Sequence, residues 1–192
     1  MKKIVLFGLV LAFCLALCAC GAGSEGAATT TVHEHSFVQG KCSVCGEAQL
    51  GYKALKTCGW ETAGVTADGT ELDVVTLWFG GQEAAISVSF YGPVENLDKE
   101  TQDYYLTEES QSLYECEGKK YVPKGFGDER PIQVEEQENT VVVSVMEDAV
   151  IGKITMVRTS ADQYTITEIS GRIIDEIITE SLKVGSVLTA KG

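Results

Sequence analysis

The chain has 192 residues, and its 28 acidic and 15 basic side chains give a formal net charge of −13. This charge disfavours a nucleic-acid partner, because phosphates are neutralised by Lys and Arg side chains. It also disfavours electrostatic docking on anionic lipid headgroups. The length is sufficient for one compact domain and a short additional segment.

The first twenty residues are typical of an export signal. Lys2 and Lys3 form a basic start, residues 4–19 are uncharged and apolar, and small residues lie on both sides of Cys20. This order predicts a signal peptide rather than a structural helix. An ordinary secretory signal and a transmembrane helix are the alternatives, since the apolar run is near the lower length limit for spanning a bilayer.

Leu17, Ala19 and Cys20 resemble the lipobox of bacterial lipoproteins, with Cys20 as the modified residue. The resemblance implies a signal peptide over residues 1–19, cleavage after Ala19 and covalent diacylglycerol or palmitate on the Cys20 sulfur. Two acyl chains on one residue meet the requirement for stable membrane attachment. We therefore expect a lipid-anchored protein on the extracytoplasmic side of the cell membrane.

Residues 20–32 form the next segment, in which small and polar residues follow Cys20. Such a composition cannot bury enough apolar area to offset the entropy that ordering the chain would cost. We therefore interpret residues 20–32 as a lipidated, flexible tether.

The segment 33–48 contains a candidate metal site, with His33, His35, Cys42 and Cys45 as ligands. The C-x₂-C spacing lets one tight turn present two sulfurs to one ion. The two histidines, two positions apart, point to the same side of an extended segment. Two thiolates and two neutral imidazoles suit Zn²⁺ better than copper or iron. Because four protein ligands leave no position open for water, the zinc is predicted to be structural.

Residues 33–46 also resemble the short zinc-ribbon-like knuckle that follows the tether in many lipoproteins of Gram-positive bacteria. The resemblance implies the same four ligand roles. Two other readings of Cys42 and Cys45 stay open, namely a redox pair and a simple disulfide, which an extracytoplasmic compartment permits.

From residue 51 to residue 192, short runs rich in Val, Ile, Thr and Tyr alternate with turn residues, which predicts an all-β, antiparallel domain. Residues 94–109 are predicted to form a loop or one helical turn, 123–131 a turn-rich insertion, and 173–178 a short helix. The predicted strands cover 60–65, 72–79, 85–91, 110–117, 132–136, 140–146, 152–158, 164–169 and 184–189.

Antiparallel strands with one apolar face either close into a barrel or pack as a β-sandwich. Gly59 and Trp60, followed by the turn 67–69 and Leu72, resemble the opening of small lipocalin-like domains of bacterial lipoproteins. The resemblance implies a barrel with a tryptophan of its first strand at one end. Two alternatives stay open for the inside of the barrel, namely an open ligand cavity and a fully packed core.

Cys58 and Cys116 are the remaining cysteines of the β domain. One alternative is a disulfide that closes a long loop, which the chain-entropy model values at about 4 kcal/mol. The other is a pair of free thiols that act as small apolar core residues.

The sequence contains no recognisable catalytic motif, such as a nucleophile elbow, a phosphate-binding loop or a zinc-protease motif. Adjacent acids such as Glu135 and Glu136 point to opposite faces of an extended strand. We therefore expect a protein that is not an enzyme. Its β domain is expected to bind a small apolar ligand or a protein partner. The alternative is a structural or interaction protein of the membrane surface, with a packed core and a structural zinc joint.

Replacing Cys20 with Ala removes the sulfur that the lipid would modify, so we expect Cys20→Ala protein to be released into the medium. Wild-type protein expressed in the same bacterial host is expected in the membrane fraction. Immunoblots of the two fractions measure the distribution, and equal membrane retention of both proteins would contradict a lipid anchor at Cys20.

Overall fold

The computed structural model describes residues 33–80, 83–107, 113–174 and 181–191. Backbone contacts divide the chain into two units, Met1–Glu34 and His35–Gly192, and the architecture below is that of the second unit. The predicted signal peptide and tether lie outside the described residues, as do positions 175–178 of the predicted helix.

Antiparallel strands dominate the described part of the chain. A two-stranded sheet consists of β1 (Phe37–Val38) and β2 (Lys41–Cys42). The larger sheet consists of β3 (Gly59–Val65), β4 (Leu72–Gly80), β5 (Glu83–Pro93), β6 (Tyr114–Cys116), β7 (Lys119–Gln137), β8 (Thr140–Met146), β9 (Val150–Ser160), β10 (Gln163–Gly171) and β11 (Val187–Lys191).

Eight of these strands form a closed barrel. Strands β3, β4 and β5 pair in chain order, β5 pairs with β7, and β7 to β11 again pair in chain order. Pairing of β11 with β3 completes the circle, through Thr189 with Glu61 and Ala190 with Trp60. Strand β6 is additional and pairs with β7. The predicted antiparallel barrel is therefore confirmed, and the sandwich alternative is not adopted.

The barrel core is built from side chains that alternate along each strand. In β8, Val141, Val143 and Val145 are buried, as their spacing predicts, and the residues between them are half-buried. Ile154 and Met156 of β9 point inward in the same way. These side chains belong to one continuous apolar cluster to which every barrel strand contributes.

The two ends of the barrel are closed by different segments. At one end, a 3₁₀ helix (Leu55–Thr57) precedes β3, and the Trp60 indole Nε1–H donates to the Leu55 carbonyl at 2.8 Å. Both of these side chains are buried. At the other end, Ile173 and Leu182, from the connection between β10 and β11, join the core cluster.

The predicted turn-rich insertion over 123–131 is wrong, because these residues lie inside the nineteen-residue strand β7. Pro123 and Pro131 align with residues of β5, and shifts in register between them accommodate the extra residues. Pairing with a neighbouring strand therefore overrides the local preference of proline and glycine for turns.

Residues 94–106 contain more helix than the predicted loop or single turn. A 3₁₀ turn (Val94–Asn96) precedes helix α1 (Lys99–Leu106), and Asp98 caps α1 by accepting the Thr101 N–H at 3.0 Å. The hydrogen bonds from Thr101 hold the pKa of the Asp98 carboxyl below its ordinary value. Among the described residues, no helix combines the length and the apolar character needed to cross a bilayer.

Cys58 and Cys116 are free cysteines in the structure. Cys58 packs against the barrel core, whereas Cys116 packs in a second cluster on the outer face, with Leu72 and Tyr121. Burial raises the pKa of the Cys116 thiol. The arrangement corresponds to the alternative of two separate apolar thiols.

Met156→Ala should lower the free energy of unfolding by about 2–5 kcal/mol, because it leaves a cavity in a close-packed core. The matched control is Val150→Ala on the same strand, where the side chain is 47 % exposed and the expected change is within about 0.5 kcal/mol. Urea unfolding followed by circular dichroism measures both values. Similar losses in both variants would contradict the assignment of the inward face.

Candidate metal centre

The small hairpin β1–β2 is formed by a two-residue turn. Gln39 and Gly40 occupy this turn with φ angles of +47° and +75°, as a type I′ hairpin turn requires. The chain then returns along β2, where Lys41 forms an isolated bridge with Ala48. Residues His35–Gln49 therefore fold back on themselves, and we call them the knuckle.

A second tight turn places the C-x₂-C pair. The Gly46 N–H donates to the Cys42 carbonyl at 2.9 Å, and the Cys42 N–H donates to the Glu47 carbonyl at 2.8 Å. Cys42 is buried at 3 % exposure, whereas Cys45 is exposed. The turn thus places the Cys42 sulfur in the interior of the knuckle and the Cys45 sulfur at its surface.

The predicted ligands come together around one point. His35 Nδ1 lies 3.6 Å from Cys45 Sγ. One ligand atom from each of His33, His35, Cys42 and Cys45 lies within 4.8 Å of the others. A tetrahedral zinc site with bonds of about 2.0–2.3 Å separates its ligand atoms by roughly 3.3–3.8 Å. The described arrangement therefore fits a zinc ion after small side-chain adjustments.

Glu47 is a residue of this site that the sequence analysis missed. Its Oε2 lies 3.5 Å from His35 Nε2, while the other ring nitrogen of His35 faces Cys45. A carboxylate on the far nitrogen of a ligating histidine fixes the tautomer and orients the ring. Phe37 stacks on the same ring, with centroids 5.5 Å apart. The spacing of ligands gives no signal for Glu47, because its role depends on how the hairpin folds.

Hydrogen bonds join the knuckle, and the segment that follows it, to two turns of the barrel. Asn139, in the turn between β7 and β8, donates from Nδ2 to the Phe37 carbonyl at 2.9 Å. After the knuckle, the Lys53 N–H donates to the Ala161 carbonyl, in the turn between β9 and β10, at 2.9 Å. The candidate metal site therefore lies at the barrel end that contains Trp60.

A separate groove of about 910 Å³ runs along the outer surface of the barrel, beside β3 and β11. In this groove, Lys191 Nζ lies 3.1 Å from Glu61 Oε2 and 5.1 Å from the centroid of the Tyr114 ring. Burial, and then the negative charge of Glu61, raise the pKa of Tyr114 to about 12. Sequence patterns carry no signal for this groove, because its walls are far apart along the chain.

The fold and the site define a class: a closed antiparallel eight-stranded barrel with a candidate Cys₂His₂ metal site at one end. No protein-family model, no curated protein and no solved structure matches this chain.

Glu47→Gln should weaken zinc binding by about 10–100-fold, because the amide orients the His35 ring less strongly than a carboxylate. The matched control is Glu34→Gln, which removes an equal charge from the neighbour of two predicted ligands. Competition with a chromophoric chelator measures both affinities. If both variants lose affinity equally, the effect is one of net charge, and the orienting role of Glu47 is refuted.

Proposed function

We propose that this chain is a non-catalytic interaction protein with a filled barrel and a structural zinc joint, anchored through a lipid on Cys20 to the extracytoplasmic face of the cell membrane. Its partner is a protein that contacts the outer surface of the barrel, rather than a small apolar ligand held inside. The observation that carries this proposal is the state of the barrel interior, where inward side chains form one buried apolar cluster.

The interior supports an interaction role over ligand carriage. Trp60, Leu77, Met156 and Ile166 are each at most 1 % exposed and belong to the same cluster. Protein interiors of this kind are close-packed. A small apolar ligand at the barrel centre would therefore have to displace side chains that already bury their full surface.

The outer groove supports a protein partner. It presents the ring of Tyr114 next to the ion pair between Lys191 and Glu61, and apolar groups from Val65 and Val187. Tyrosine is one of the residue types that dominate binding energy at protein interfaces. Because the groove contains both signs of charge, it suits a mixed polar surface rather than a polyanion.

The proposal that the protein is not an enzyme is based on its histidines and on the coordination expected for zinc. Both histidines of the sequence, His33 and His35, belong to the candidate ligand set, which leaves no other histidine as a base near neutral pH. Zinc held by four protein ligands would have no open position for water or substrate. The proposed role of the metal is therefore to hold the knuckle in shape.

Native mass spectrometry of the detergent-extracted protein from its own host tests the proposal. We expect the mass of the chain from Cys20 onward plus the acyl groups and one zinc, without a bound small molecule. The Cys20→Ala protein serves as the control for the acyl mass. An apolar molecule retained in stoichiometric amount would overturn the filled-barrel proposal, and a missing acyl mass would overturn the lipid anchor.

A further inference from the structure

Asn139 forms one hydrogen bond to the knuckle and another to strand β9 of the barrel. Its side chain donates to the Phe37 carbonyl in the knuckle, while its own carbonyl accepts the Arg158 N–H at 2.8 Å. The Asn139 Oδ1 atom is buried without a hydrogen-bond partner. Burying an unpartnered polar atom costs free energy, whereas the Nδ2 end of the same amide is hydrogen-bonded to the knuckle.

Gly40 provides a second connection, through Tyr52. A Cβ atom added to Gly40 would lie 2.5 Å from the Tyr52 ring, so the ring packs directly on the backbone of the knuckle turn. The same ring also contacts Arg158, whose Cζ lies 4.4 Å from the ring centroid. Tyr52 is therefore placed between the hairpin of the knuckle and the barrel.

Arg158 completes the path to the core. Its Cζ lies 4.3 Å from the centroid of the Tyr164 ring and 5.5 Å from that of Trp60. Its guanidinium donates to the Lys53 carbonyl at 2.9 Å and also to the Tyr164 hydroxyl. Trp60 and Tyr164 are themselves in edge-to-face contact, with centroids 4.8 Å apart. A continuous series of contacts thus leads from the knuckle turn to the closed end of the barrel.

The knuckle is a small element with very short strands. Strands β1 and β2 contain two residues each, and an isolated two-stranded hairpin is at best marginally stable in water. The candidate ligands lie on both sides of the hairpin, with His35 before β1 and Cys42 and Cys45 in and after β2. A bound metal would therefore hold the turn that Tyr52 packs against.

We propose that metal binding in the knuckle and closure of the Trp60 end of the barrel are thermodynamically coupled through Asn139, Tyr52 and Arg158. Loss of the metal loosens the knuckle and exposes the Trp60 end. By reciprocity, the docking contacts on the barrel raise the metal affinity of ligands that they do not touch. This inference rests on the proposed zinc site and makes the knuckle a metal-dependent cap.

Zinc affinities of variants outside the ligand set test the coupling. Asn139→Asp replaces the donor to the Phe37 carbonyl with an acceptor, and Tyr52→Ala removes the ring between Gly40 and Arg158. We expect each to bind zinc about tenfold more weakly than wild type, within the range usual for coupled sites. The controls are Asp148→Asn, in an exposed turn, and Tyr104→Ala, on the exposed surface of α1, and both should bind like wild type.

A weaker zinc affinity in Asn139→Asp cannot be an effect of charge, because an added negative charge would by itself strengthen the binding of a cation. Thermal melting establishes that each variant retains a folded barrel. Equal zinc affinities in all folded proteins would overturn the coupling and leave the zinc site intact. If wild-type protein does not bind zinc, both the zinc site and the coupling fail.

Quenching of Trp60 by acrylamide tests the cap directly. The chain has two tryptophans, so Trp78→Phe leaves Trp60 as the single emitter. We expect a chelator to increase the quenching constant of Trp60 at least twofold, and added zinc to restore it. The same protein with Cys42→Ser and Cys45→Ser should show the higher value under both conditions. A quenching constant that does not change on chelation of zinc-loaded protein would overturn the cap.

Discussion

Pairing of β11 with β3 is the constraint on which the rest of the structure depends. It joins the last described strand of the chain to the first strand of the barrel, and with the β5–β7 pairing it leaves no open edge among the eight barrel strands. A closed sheet must direct alternate side chains into a common interior. The apolar cluster, the burial of Trp60 and the two closed ends all follow from this closure.

Closure also determines what the barrel presents at its Trp60 end. The turns β7–β8 and β9–β10 come together there, and they supply Asn139 and Ala161 as contacts for the knuckle and the segment after it. Arg158 lies at the same end and contacts Tyr52, Tyr164 and Trp60. The candidate metal site therefore lies in a segment that is hydrogen-bonded to turns of the barrel.

The outer face of the barrel carries a second apolar cluster and a groove with charged side chains. The first part of β7 and the short strand β6 pack a second apolar cluster on the outside of β4, with Leu72, Val74 and Tyr121 at its centre. The groove beside β3 and β11 lies next to this added layer. The function proposed for the protein is based on this division, because the inward side chains form a buried apolar cluster and the outside carries aromatic and charged groups.

The sequence by itself determined the class of fold, the inward face of strands such as β8, and the four candidate ligands, because strand alternation and ligand spacing are local properties. Tertiary structure alone decided that residues 123–131 belong to β7, that Glu47 lies beside His35, and that Cys58 and Cys116 lie in different clusters. It also decided that side chains from all eight barrel strands form one buried apolar cluster. The position of Glu47 depends on how the knuckle hairpin folds, and the other features depend on contacts between segments distant in the chain, whose geometry is set only when the barrel closes.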